Sequence, residues 1–173
     1  MSDNLLQITT LRQLLEFDVA RFIVIERQLG SSISHWIDMA GADKFKQVLY
    51  KYRDFINEHI RKMEDFFENK EFTGPAVSNR MMEVILGEAE QKWACCADQA
   101  IKDACLLASI QTINHFKISA YGTAAAFATS VGLENIAAEF RLAEVNEKQI
   151  DDRLSQLAIF EINARAKAPI LEA

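Results

Sequence analysis

Apolar residues recur three and four positions apart through nearly all of this 173-residue chain, and only two prolines, Pro75 and Pro169, break the run. That spacing keeps side chains on one face of an α-helix, which turns once in about 3.6 residues. The first stretch opens at Thr10, whose spacing to Gln13 fits a capping box, and carries Leu15, Val19, Phe22, Leu29, Ile33 and either Trp36 or Ile37 to about residue 39. Gly41 can end it and Asp43 can cap the next. There Phe45, Val48, Leu49, Tyr52, Phe55, Ile56, Met63 and Phe66 carry the period to about residue 69. EFTGPAVS, residues 71–78, reads as a loop, and Met81, Met82, Ile85 and Leu86 begin a short helix that ends near Ala97. Two more long helices fit 98–131, with Ala104, Leu107, Ile118, Tyr121 and Ala125 inward, and 134–166, with Ile136, Phe140, Ile150, Leu154 and Leu157 inward. Gly132 separates them, and no alternating pattern competes for a strand. The expected architecture is all-α: one domain over residues 1–173, a four-helix bundle with one crossover and a short extra connecting helix. Flexible ends of about nine and about seven residues are expected.

Each long stripe is interrupted near its middle by a polar side chain. Glu26 lies between Phe22 and Leu29, His59 between Ile56 and Met63, and Asn114 on the face of Gln111, Leu107 and Ile118. Glu147 falls midway between Phe140 and Leu154, with Asp151 one turn on. Each sits roughly 16 residues into a helix of about 27 to 34, so at about 1.5 Å per residue the four reach nearly the same height. Bundles build metal sites from facing helices at such a level. Glu26, His59, Glu147 and Asp151 are therefore the candidate metal ligands, and two carboxylates with one imidazole suit a single Fe, Mn or Zn ion. Gln111, Asn114 and His115 are the candidate polar residues of the bundle centre. Without a metal, a buried carboxylate must be paired or protonated, so Glu26 and Glu147 would share a proton or hydrogen bonds with His59 or Asn114.

Charge and composition exclude several other classes. The net charge is −6 and the Lys and Arg residues are dispersed, which argues against nucleic-acid binding. Residues 118–133 carry no charge but are short and rich in small and hydroxyl side chains, unlike a membrane span. MSDNLLQITT lacks the pattern of a secretory signal, so a cytoplasmic location is expected. Cys95, Cys96 and Cys105 form no paired CxxC motif and read as buried or half-buried thiols in a reducing compartment. His115 reads as a packed, hydrogen-bonded histidine and His35 as a cap or surface residue. Glu58, Arg61, Lys62, Glu64 and Asp65 form a solvated face. No hydrolase triad, phosphate-binding loop or dinucleotide fingerprint is present.

The segment DACLLASIQTINHFKISAYGT, residues 103–123, resembles the signature of the YciE/YciF family of ferritin-like proteins. The matching positions are Asp103, Ala104, Leu107, Gln111, His115, Ile118, Tyr121, Gly122 and Thr123. IERQL at 25–29 is similar to the family's first-helix pattern, as is the spacing of Glu147, Asp151, Leu154 and Ala158 to its fourth, so the likeness covers about residues 10–160. The resemblance implies a bacterial, stress-associated, ferritin-like bundle with a carboxylate-rich metal centre and no established reaction. It also implies that acids of the family fall here on Asn114, Lys117, Asn146 and near Phe55 or Ile56. A dinuclear centre needs bridging carboxylates and charge compensation, and these replacements work against both, although Lys117 can reach outward along its aliphatic stem.

Two functional readings follow. One is a metal-dependent redox or peroxide-handling protein that uses the reduced ligand set. The other is a non-catalytic structural or interaction protein with a degenerate centre and no cofactor, and the missing acids favour it. A monomer or a dimer is expected, with any association through a limited patch such as the connecting helix with Met81, Met82 and Trp93, and the sequence does not identify another protein partner. Neither nucleic acid nor membrane is an expected partner.

Overall fold

The computed structural model describes residues 7–73 and 80–167. Five long or medium helices account for most of them: α1 Leu11–Met39, α2 Asp43–Glu68, α3 Arg80–Ala94, α4 Gln99–Ser130 and α5 Glu134–Leu157. The chain stays helical past α5 through a π-turn, Ala158–Ile162, and a last turn, α6, Asn163–Ala166. No strand occurs among the described residues. The connecting helix stops at Ala94, three residues before the expected Ala97. Most of the loop expected at 71–78, and most of the expected flexible ends, lie outside the described residues.

The helix ends are set by different means. Thr10 makes the full capping box with Gln13 at the start of α1. At the start of α2 the expected cap is absent: Ala42 holds the capping position and has no side-chain cap, while Asp43 is already inside the helix. The missing acceptor comes from another helix. Asp103 of α4, a buried carboxylate, accepts from the Gly41 N–H at 2.8 Å and from the Ala42 N–H at 2.9 Å. Gly41 also lets α4 come close, since a Cβ there would stand 2.5 Å from Gln99 Cγ. The α4–α5 turn uses Gly132 in the left-handed region, at φ 76°, where an L side chain is strained.

Those contacts also fix the topology. α1 packs on α2 and α4, and α5 packs on the same two, so α1 and α5 lie on one diagonal and α2 and α4 on the other. Asp103 places the start of α4 at the end where α1 turns into α2. α2 and α4 therefore run the same way, and the chain between them must return along the bundle. α3 lies on that path, against α1 and α4. This is the ferritin-like bundle with one crossover.

The core runs the length of the bundle, with Leu29, Ile33, Trp36, Phe45, Leu49, Ile56, Ile110, Ile113, Ile150 and Leu154 fully buried. On α4 the buried face differs from the expected one. It carries Asp103, Leu106, Leu107, Ile110, Ile113, Asn114, Lys117, Tyr121, Ala125 and Ala128, while Ala104 and Ile118 are only half-buried. Three polar side chains sit on the buried side, and alanines lie partly outward, so hydrophobicity alone turns the stripe toward Ile118. Leu157, expected inward, is half-buried where α5 passes into the π-turn. Cys105 is buried and Cys96 half-buried, as expected, whereas Cys95 is exposed, past the end of α3. Among the described residues no helix is long and apolar enough to cross a membrane.

Candidate metal centre

Every helix of the bundle sends polar side chains to one level of the core. α1 contributes Glu26, α2 Tyr52 and His59, α4 Asn114, Lys117 and Tyr121, and α5 Asn146 and Glu147. Glu26, Asn114, Lys117 and Glu147 are all 0% exposed. His59 Nδ1 lies 3.7 Å from Glu26 Oε1 and 3.5 Å from Glu147 Oε1. Among the described residues this is the one group of three or more His, Cys and acidic side chains whose ligand atoms all fall within 4.8 Å of one another.

The other expected site residues lie elsewhere. Asp151 pairs with His115 Nε2 at 3.1 Å and accepts from Gln111 Nε2 at 3.5 Å, on a seam between α4 and α5. Gln111 also donates to Ser155 Oγ at 3.0 Å. The His115 side chain is 63% exposed, which corrects its reading as a packed histidine of the bundle centre. Successive residues on a helix are turned by about 100°, so when Asn114 points inward His115 points past the edge. Of Gln111, Asn114 and His115, only Asn114 reaches the centre.

Lys117 supplies the main correction. Its stem does not carry the ammonium outward: Nζ lies 2.6 Å from Glu147 Oε1 and 3.1 Å from Glu26 Oε1, with the Tyr52 ring centroid 4.6 Å away. These are the same two oxygens that face His59 Nδ1. The contacts are ion pairs by distance, and among the described residues Glu26 Oε2 and Asn114 Oδ1 have no hydrogen-bond partner. The remaining carboxylate contacts are directed. Tyr121 OH donates to Glu26 Oε1 at 2.5 Å, Tyr52 OH to Glu147 Oε2 at 2.9 Å, and Asn114 Nδ2 to Glu147 Oε2 at 2.7 Å. Asn146 Nδ2 lies 3.3 Å from His59 Nε2, and the Phe55 ring is stacked parallel to the imidazole at 6.3 Å between centroids.

Residues 10–167 match the family described as a domain of unknown function, DUF892. The chain belongs to this family. It is similar to the protein YciF of Escherichia coli strain K12, with 25% identity over 146 residues that cover 82% of this chain and 86% of YciF. The solved structure of the E. coli stress protein YciF matches with a TM-score of 0.84 at 22% identity, covering 90% of this chain and 99% of that one. YcfI from Rhodopseudomonas palustris matches with a TM-score of 0.83 at 21% identity, covering 92% and 100%. The two structural likenesses establish the bundle fold for this family member.

Electrostatics divide the two central carboxyls. Burial opposes ionisation of Glu26, but the Lys117 ammonium, with His59 and the Tyr121 hydroxyl, outweighs it and holds this carboxyl below its usual range. Burial raises Glu147, with Lys117 opposing and the Glu26 charge adding to the rise. Burial and the two carboxylates likewise push Tyr52 and Tyr121 well above the ordinary phenol value. In an alkaline titration, no more than one of the three tyrosines should ionise while the chain is folded. The linked stability is complete below the ordinary value of about 10 and is lost as pH rises above it, because the unfolded chain ionises there and the folded one does not. Two tyrosinates appearing in a chain that keeps its helical circular dichroism would refute this.

The residues present do not fit the metal that the fold suggests. A dication held by the three ligands would stand beside the Lys117 ammonium, and at a separation of about 3.5 Å their repulsion is on the order of 10 kcal/mol at an effective dielectric of about 20. A dinuclear centre fits still less well, with Asn114, Lys117 and Asn146 among the central groups. Three central residues, Tyr52, Lys117 and Tyr121, were not recognised in the sequence as partners of the carboxylates. Spacing held the signal: Tyr52 is seven before His59, and Lys117 and Tyr121 are three and seven after Asn114, all one-face intervals.

Proposed function

We propose that this chain is a stress-associated, non-catalytic member of the YciE/YciF type, a bundle protein with a structural or interaction role and a degenerate metal centre. The observation that carries this reading is Lys117, fully buried with its ammonium within 3.1 Å of both Glu26 and Glu147. The ammonium provides the positive charge that a metal would otherwise supply. Access supports the same reading, since the cavity beside His59, Tyr121 and Asn146 measures about 20 Å³, about the space of one water. The stress association rests on likeness to a relative described as a stress protein. A bacterial, cytoplasmic setting accompanies it. For an interaction role, the patch expected on the connecting helix is reduced, since Met82 is fully buried and Trp93 half-buried, with only Met81 of the three exposed. Leu142, Val145, Ile159 and Phe160 are exposed on α5 and the turn after it, and a monomer or homodimer is expected by light scattering rather than a shell-sized mass.

A second reading draws on the proximity of Glu26, His59 and Glu147. It makes the chain a metal-dependent redox or peroxide-handling protein with a single Fe, Mn or Zn ion. Metal analysis separates the two. Protein expressed with these metals in excess and purified without chelators should contain none of them in stoichiometric amount. A stoichiometric ion that is lost with Glu147→Gln would establish the second reading instead.

A further inference from the structure

We infer that Lys117 is a built-in substitute for a metal ion, and that its ammonium alone keeps a divalent cation out of a donor set that is otherwise complete. The inference rests on the reading of the native centre as metal-free and extends it to a latent site for a divalent cation.

The first support is where the ammonium sits. Glu26 Oε1 and Glu147 Oε1 face both Lys117 Nζ and His59 Nδ1, so the cation lies against the oxygens that would ligate. The second is that the ammonium does not exhaust the donor set: among the described residues Glu26 Oε2 has no hydrogen-bond partner, and His59 Nδ1 stands 3.7 Å from Glu26 Oε1 and 3.5 Å from Glu147 Oε1.

The third support is that the would-be ligands are oriented by groups other than Lys117. Tyr121 holds Glu26, Tyr52 and Asn114 hold Glu147, and Asn146 meets the far nitrogen of His59 so that Nδ1 faces the carboxylates. Partners of this type orient ligands at metal sites. Removing the ammonium therefore leaves the three ligands positioned and their negative charge uncompensated. Two carboxylates and an imidazole suit Zn²⁺, Co²⁺, Mn²⁺ or Fe²⁺.

Co²⁺ is the probe, because its visible absorption reports on its coordination. The wild type and Lys117→Ala are each titrated with Co²⁺ and then melted with and without it. Lys117→Ala should bind Co²⁺ saturably and stoichiometrically, with the absorption of a low-coordinate site, and lose the binding when Glu147→Gln is added. With Co²⁺ at ~100 times its dissociation constant, the melting midpoint of the variant should rise by roughly 5–10 °C, and the wild type should not respond. If Lys117→Ala does not fold alone, it is refolded with Co²⁺ present, and Lys117→Gln serves as the second variant. Folded variants that take up no Co²⁺, or variants that Co²⁺ does not help to fold, overturn the latent site and leave the reading of the native centre standing. Saturable Co²⁺ binding by the wild type, sensitive to Glu147→Gln, overturns that reading itself.

Discussion

Replacing Lys117 by methionine should destabilise the folded chain by about 3–5 kcal/mol at neutral pH, the range for removing one partner of a buried ion cluster. Methionine fills a similar volume, so little of the loss comes from a cavity. What remains is two carboxylates, both 0% exposed, with the His59 imidazole beside them. The pH dependence follows from the groups involved. In the wild type Glu26 sits below its usual range because Lys117 outweighs its burial, so its contribution is present above the unfolded carboxyl value and fades as pH falls. Without Lys117, burial pushes the same carboxyl upward, and the variant is least disadvantaged in acid, where the carboxyls are protonated. The gap between the two proteins should therefore widen as pH rises from about 4.5 toward neutrality. Urea denaturation of both across that range checks it, and a deficit under about 1 kcal/mol at neutral pH would show that the ammonium is not the effective counter-ion.

Asp103→Ala is the second large effect, expected at about 2–4 kcal/mol, because it removes two hydrogen bonds from a charged acceptor to backbone N–H groups. Gly41 and Ala42 have no substitute acceptor at the start of α2, which lacks its own side-chain cap. Asp103→Asn keeps one of the two acceptor oxygens and should recover part of the loss. Denaturation curves give the magnitude, and hydrogen exchange gives the location, since amides of the α1–α2 turn should exchange faster in Asp103→Ala while those at the centre keep their protection. Unchanged exchange at the turn would mean that Asp103 does not act as its cap.

The helices were legible because each carries its signal locally. Thr10 with Gln13 and Gly132 mark ends that the structure keeps, and the apolar stripes of α1 and α2 need only their own sequence. The cap on α2 was not legible, since its acceptor is Asp103, some sixty residues away in sequence. At the centre, Glu26, His59, Asn114 and Glu147 could be read as charged or polar breaks in apolar faces. Tyr52 and Tyr121 could not, because an aromatic ring in a stripe looks like core until its hydroxyl has a partner. The place of Lys117 is not legible for a physical reason: a long stem lets lysine escape to water, and only the three-dimensional meeting of two carboxylates makes burial the better state. Asp151 was drawn toward the centre by its one-turn spacing from Glu147, yet its actual partners, His115 and Gln111, lie on the seam.

Anomalous difference density from crystals of the wild-type protein grown with Mn²⁺ or Zn²⁺ tests most directly whether Lys117 holds the cation position. The expected result is no peak among Glu26, His59 and Glu147, with the Lys117 ammonium in ion-pair contact with both carboxylates. A peak ligated by those three residues, with the Lys117 side chain turned away, would contradict it.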